Sequence, residues 1–183
     1  MATLSILRFS TAGGVAAALD EVRVLSAAGR LAARDLAMMS WEPGQRVPET
    51  RCVAMPLPNL PMGPSFWNLL FGHLFFLPAA AAAAGAALQS MRWSLAGLGI
   101  RDDFLLTARE RLTPGTSALF VLTDDANVDP VIMLLGDLPF TVTSTNLSTR
   151  QLESLQMAFG SSGSDVPLEI EFTPRARETP DAQ

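Results

Sequence analysis

The chain has 183 residues, 49% of them hydrophobic, and its 18 acidic and 13 basic residues, the latter all Arg, give a net charge of −5. This hydrophobicity with a charged fraction of only 17% excludes a wholly disordered chain, and scattered Arg in an acidic background excludes a general nucleic-acid binder. A single cysteine, Cys52, excludes an internal disulfide framework and a four-cysteine zinc site.

The first segment, MATLSILRFS, has no basic stretch leading into a long apolar one and no small-residue cleavage site, so the cytoplasm is the expected compartment. Residues 2–9 (ATLSILRF) read as a strand. Ser10 or Thr11 is expected to cap a helix carrying Val15, Leu19 and Val22 on one face and ending near Gly29. Residues 31–41 alternate as a strand, with Ala33, Ala37, Met39 and Trp41 on one side. Glu42-Pro43-Gly44 is a turn, and residues 45–55 return as the second strand of a hairpin.

Next comes the segment that makes the mean hydropathy, +0.27, positive. Residues 52–91, forty in all, contain no Asp, Glu, Lys or Arg. Pro56, Pro58, Pro61 and Pro64 lead into FWNLLFGHLFFL (66–77), then Pro78, then an alanine-rich run, 79–88. As helices, the two arms would each be roughly 15–18 Å long against a bilayer core of about 30 Å, so neither alone spans a membrane. Beyond the block, Asp102 and Asp103 are placed to cap a helix with Phe104, Leu105, Ala108 and Leu112 on one face, stopped by Thr113-Pro114-Gly115. SALFVLT (117–123) reads as a buried strand, and Asn127 or Asp129 with Pro130 starts a short helix through Leu135. FTVTSTN (140–146) reads as an edge strand. Ser148 and Gln151 form a capping-box pattern for a helix with Leu152, Leu155 and Phe159 inward, closed by Gly160. A polar linker, a possible strand at 166–172 and a disordered tail are expected after it.

The order β-α-β-β, apolar insertion, α-β-α-β-α predicts an α+β protein: a ferredoxin-like sandwich with helices on one face of the sheet, interrupted by an apolar helical hairpin. Its expected parts are a first half at 2–55, the insertion at 56–98, a second half at 99–160 and a polar extension at 161–183. If both halves share one sheet they lie on one side of any membrane, so the insertion must leave and return, with Pro78 near its bend.

Trp41, Phe66-Trp67-Asn68-Leu69-Leu70-Phe71-Gly72, Phe75-Phe76-Leu77-Pro78, Asp102-Asp103-Phe104, the segment PGTSALFVL (114–122) and Thr145-Asn146-Leu147-Ser148 together resemble the bacterial domain of unknown function family 1269. The resemblance covers roughly residues 2–160. It implies a membrane-associated protein, sometimes carrying a stress-response label, with no assigned activity.

Few residues carry chemistry. His73, the only histidine, sits in the first apolar arm with no visible partner, so it is a cofactor-binding candidate only if an oligomer clusters several copies. Asp124, Asp125 and Asp129 follow a strand, but turn and cap chemistry accounts for them better than a cation site does. Asp102 and Asp103 with Arg109 and Glu110 read as a cap with helical charge pairs. Cys52 has no nucleophile's partner, and Gly13-Gly14 lacks a phosphate loop's spacing, although its amides open a helix where an anion could dock. No enzyme activity, cofactor or metal is expected, and no small-molecule ligand can be named.

Three functions compete. The first is a membrane-associated protein at the cytoplasmic membrane, its soluble domain facing the cytoplasm, with Trp67 and Trp93 as interfacial anchors. Its membrane or self-association surface is expected at Phe66, Trp67, Leu69, Leu70, Phe71, Leu74, Phe75, Phe76, Leu77 and Pro78. The second is a soluble cytoplasmic homo-oligomer, a scaffold or shell, whose hairpins pack between subunits. The third is a small-ligand or cofactor carrier built on clustered His73.

Overall fold

The computed structural model describes residues 1–28, 33–53, 62–75, 95–124, 133, 135–136 and 138–160. In chain order these form β1 (Ala2–Phe9), α1 (Gly14–Ala27), β2 (Ala33–Ser40), β3 (Glu49–Cys52), α2 (Pro64–Phe75), α3 (Asp102–Arg111), β4 (Ser117–Thr123), β5 (Phe140–Leu147) and α4 (Thr149–Phe159). The expected elements at Asn127–Leu135 and 166–172 and the alanine-rich arm at 79–88 lie outside or largely outside the described residues, as do Gly29 and Trp93.

All five strands join one antiparallel sheet in the order β3-β2-β4-β1-β5. β4 therefore lies between β1 and β2, so the stretches before and after the apolar block build a single sheet. β1 and β2, each antiparallel to β4, run parallel to one another with α1 as the crossover. Every residue of β4 is buried, which is why its sequence is a continuous apolar run rather than an alternation.

The helices cover both faces, a correction to the one-sided arrangement expected from sequence. α1 packs Val15, Ala18, Leu19, Val22 and Leu25 on Leu7, Phe9, Leu36, Leu119 and Val121. α2, α3 and α4 pack on the opposite face, against Leu4, Ile6, Ala37, Met39, Ala118, Phe120 and Leu122. The strands alternate with period two between these layers, so each face supplies its own core.

β2 breaks that alternation. Ala33 lies opposite Thr123 and Asp35 opposite Leu122, so Arg34 is an extra residue in a bulge. Ala33 consequently joins the α1 layer with Leu36, away from Ala37 and Met39, with which the plain alternation had grouped it.

Two Pro-Gly turns sit together at one end of the sheet. In each, Gly follows Pro with positive φ, 87° at Gly44 and 88° at Gly115, as a type II turn requires. Trp41 joins them: its N–H donates to Thr116 O at 2.9 Å and its carbonyl accepts from Gly115 N at 2.7 Å.

The start of α1 is capped from another element. Ser117 Oγ accepts from Val15 N at 2.9 Å and donates to Thr11 O at 2.7 Å, so a β4 hydroxyl does the work expected of Ser10 or Thr11. We expect Ser117→Ala to lower stability by about 1–2 kcal/mol, because one substitution removes a helix cap and a buried hydrogen bond. Urea denaturation measures this, and a loss under about 0.3 kcal/mol would contradict the assignment. At α4 the capping box forms as the sequence predicts, with Ser148 Oγ accepting from Gln151 N and Gln151 Oε1 accepting from Ser148 N.

Candidate functional site

Chemistry-bearing groups gather around α2, the helix formed by the first apolar arm. Pro64 opens it at the position where a missing N–H costs nothing. Phe66, Trp67, Leu69, Leu70, Phe71 and Leu74 are all buried, in a core cluster with the sheet. Their rings form a connected column. Phe159 meets Phe66 at 5.9 Å between centroids, Phe66 meets Trp67 at 4.9 Å, Phe71 meets Phe120 at 5.1 Å, and Phe75 meets Trp41 edge-on at 5.8 Å. Such spacings are those of favourable edge-to-face and offset contacts.

The six most deeply placed of the ten residues expected at a membrane or subunit interface are thus inside this chain. Phe75 is half-buried against the same core, and Phe76, Leu77 and Pro78 lie outside the described residues. Trp67 is fully buried, so it is no interfacial anchor. The sequence reading treated the arm as surplus apolar surface because it assigned no helix to the second face of the sheet, which that arm covers. Among the described residues, no helix is long and apolar enough to cross a membrane.

Each end of α2 is held by a charged residue from another element. At its start stands Asp35, 5% exposed, on the side of β2 that faces the helix. Asp35 Oδ2 accepts from Met62 N at 2.9 Å and from Trp67 Nε1 at 3.0 Å, while Oδ1 accepts from Leu36 N at 2.8 Å. Burial pushes this carboxyl above the usual range, and the N–H groups of Leu36, Trp67, Met62 and Gly63 pull it back only in part. At the far end, Arg109 of α3 donates through Nε to His73 O at 2.9 Å, and a second guanidinium nitrogen reaches the same carbonyl. A cation at the carbonyl end of a helix is the favourable polarity.

Asp35 is the residue the sequence reading missed. Its signal was its parity: it shares the strand position of Ala37 and Met39, so a carboxylate on that face has to be inward and satisfied by N–H donors.

Cys52, paired in register with Ala37, ends β3. Its residue is exposed, but the protein around the sulfur and, after it, the Asp35 carboxylate push the thiol up to about 11. At pH 8 the thiolate is then about one part in a thousand, and since a more basic thiolate is the better nucleophile the net expectation is that iodoacetamide reacts about tenfold more slowly than with an ordinary thiol. Asp35→Asn should speed the reaction by removing the neighbouring charge. A rate in wild type equal to that of a free thiol peptide would show that neither influence operates.

The remaining candidates are placed as follows. His73 is exposed, and its ring Nδ1 lies 3.1 Å from Leu69 O of its own helix. Among the described residues, no three His, Cys, Asp or Glu side chains stand together as a metal site. Asp124 pairs with Arg34 at 2.5 Å, while Asp125 and Asp129 lie outside the described residues. Asp103 is bound by Arg101, whose hydrogen bonds hold its carboxyl below the usual range, and its Oδ1 accepts from Phe104 N. The amides at the start of α1 are already used: Gly14 N donates to Thr11 O, Val15 N to Ser117 and Ala16 N to Gly13 O. The docking of an anion there, held open by the sequence, finds these donors occupied.

The sequence profile of a family described as "Protein of unknown function (DUF1269)" matches residues 62–160. The match begins at Met62, the residue whose amide Asp35 holds, and runs through α2, α3, β4, β5 and α4. No curated protein and no solved structure matches the chain significantly.

Proposed function

The chain belongs to the DUF1269 family of proteins of unknown function, and from that premise we propose that it is a non-enzymatic, ferredoxin-like protein that self-associates through the uncharged stretch following α2. The observation that carries this reading is the fixing of α2. With its bulky side chains in the chain's own core and both ends held, by Asp35 and by Arg109, α2 is a stem rather than an exposed surface. The apolar material left for a partner is residues 76–91, FLPAAAAAAGAALQSM, eight of them alanine. Alanine buries little area but allows backbones to approach closely, which suits packing against a second copy better than immersion in lipid. What supports the ferredoxin-like description is the placing of β4 between the parallel pair β1 and β2 with α1 as crossover, and of β5 beyond β1.

Light scattering on detergent-free protein tests the reading. The expected mass is a multiple of 19.5 kDa, reduced by Ala81→Glu with Ala83→Glu while the circular dichroism of the fold is unchanged. A mass that those substitutions leave unaltered overturns it.

Membrane association is the second reading, favoured by the complete lack of charge from residue 52 to residue 91. Flotation with anionic liposomes separates the two. Co-flotation abolished by the same glutamates favours lipid, and protein that stays at the bottom as a multimer favours self-association.

A further inference from the structure

We propose that β5 is a second self-association surface, pairing antiparallel with β5 of another copy to make a continuous ten-stranded sheet. The two ends of the sheet are unlike. β3 has four residues, and its Glu49 and Arg51 side chains pair with each other in solvent, a short charged border of the kind that discourages further strands. β5 has eight residues, FTVTSTNL, without charge, proline, glycine or bulge, and runs in unbroken register with β1 from Ala2↔Leu147 to Phe9↔Phe140. β1 is its only strand partner among the described residues. In an antiparallel ladder alternate residues turn their N–H and C=O groups away from the partner, so about four residues of β5 offer donors and acceptors outward.

The strand is suited to a copy of itself. Phe140 and Val142 face the α1 layer, whereas Leu147 faces the layer of α2, α3 and α4. A two-fold axis normal to the sheet keeps each layer on its own side, and this allows only registers in which a residue lies opposite its own counterpart. A one-residue slip would turn every side chain to the wrong face. The central registers set Thr143 against Thr143, each hydroxyl accepting from Arg111 Nη1 at 3.3 Å, or Ser144 against Ser144, and the strand itself carries no charge. Pairing of eight residues at an edge falls well below the roughly 800 Å² per partner of a free-standing dimer. The proposal therefore rests on the self-association reading: the partner is a copy held nearby through residues 76–91, at raised effective concentration.

Single cysteines on β5 test this without relying on mass alone. In full-length protein carrying Cys52→Ser, Thr143→Cys or Ser144→Cys is oxidised with diamide. Antiparallel neighbours stand about 4.5–5.5 Å apart at Cα, within the span of a disulfide. We expect a cross-linked dimer in more than half the chains for one of the two, and little with Cys52 as the only thiol. Thr141→Glu, at an exposed position opposite Arg8 of β1, should abolish the cross-link without lowering the thermal unfolding midpoint. A multimer with no cross-link at 143 or 144 overturns the β5 proposal and leaves the role of residues 76–91 standing. A cross-link in protein whose mass ignores the glutamates at 81 and 83 does the reverse. Monomeric protein with slowly exchanging amides at 140–147 points to the chain's own C-terminal residues on that edge and overturns the proposal.

Discussion

Trp67→Ala should lower the stability of the protein by about 3–5 kcal/mol, the range for deleting a large buried ring, because the indole has no exposed surface and touches Phe66, Phe71 and Phe120. Urea unfolding followed by far-UV circular dichroism measures it. Trp67→Phe keeps most of the packing but removes the N–H that Asp35 accepts, so its expected cost is smaller, about 1–2 kcal/mol. The comparison matters for function. A tryptophan serving as a membrane or subunit anchor would lose binding and little stability on truncation, whereas a core tryptophan loses stability first. A cost below about 1 kcal/mol for Trp67→Ala would return the residue to the surface role expected from sequence.

The second large effect is expected at Asp35. Asp35→Ala leaves the amides of Leu36 and Met62 and the indole N–H of Trp67 buried without their acceptor, at about 1–3 kcal/mol each, for a total loss of at least about 3 kcal/mol. Asp35→Asn keeps one carbonyl oxygen and should cost less. A double-mutant cycle between Asp35→Asn and Trp67→Phe should give a coupling of at least about 0.5 kcal/mol, and additivity would mean that the contact contributes nothing.

The pH dependence has a definite sign. The carboxyl of Asp35 is raised from 3.8 by burial, so the folded state holds this proton more tightly than the unfolded chain does. Its contribution is fully present below the unfolded value and is lost as pH rises through the folded one. Wild type should therefore lose stability relative to Asp35→Asn as pH rises from about 4, the ordinary aspartate value. Parallel stability curves for the two proteins from pH 4 to pH 8 would refute the assignment.

Both predictions concern the joint between the sheet and the apolar segment, and here the readability of the sequence was uneven. The capping box at Ser148 and Gln151, the buried run at Ser117–Thr123 and the two Pro-Gly turns were all legible, because each depends on residues within four or five positions of one another. The edge position of β5 was legible too, from its Thr and Ser content. The cap of α1 was not, since Ser117 reaches Val15 from 102 positions away. Nor was the inward carboxylate of Asp35, whose partners Met62 and Trp67 come 27 and 32 residues later.

By itself the sequence determined the local elements, the mixed α+β class and the resemblance to the family, and it located the forty uncharged residues at 52–91. Periodicity, turn chemistry and capping are short-range properties, so a linear reading reaches them. Only the tertiary structure decided what the first apolar arm is for. An amphipathic or apolar helix carries no mark of which surface it will cover, and FWNLLFGHLF satisfies equally well a bilayer, a neighbouring subunit or a bare sheet face. The bare face was present in the same chain, because β4 enters between β1 and β2 with apolar side chains on both sides and α1 covers only one of them. Burying Phe66, Trp67, Phe71 and their neighbours there requires no second molecule, so the partner surfaces proposed are residues 76–91 and the edge of β5 that no described strand covers.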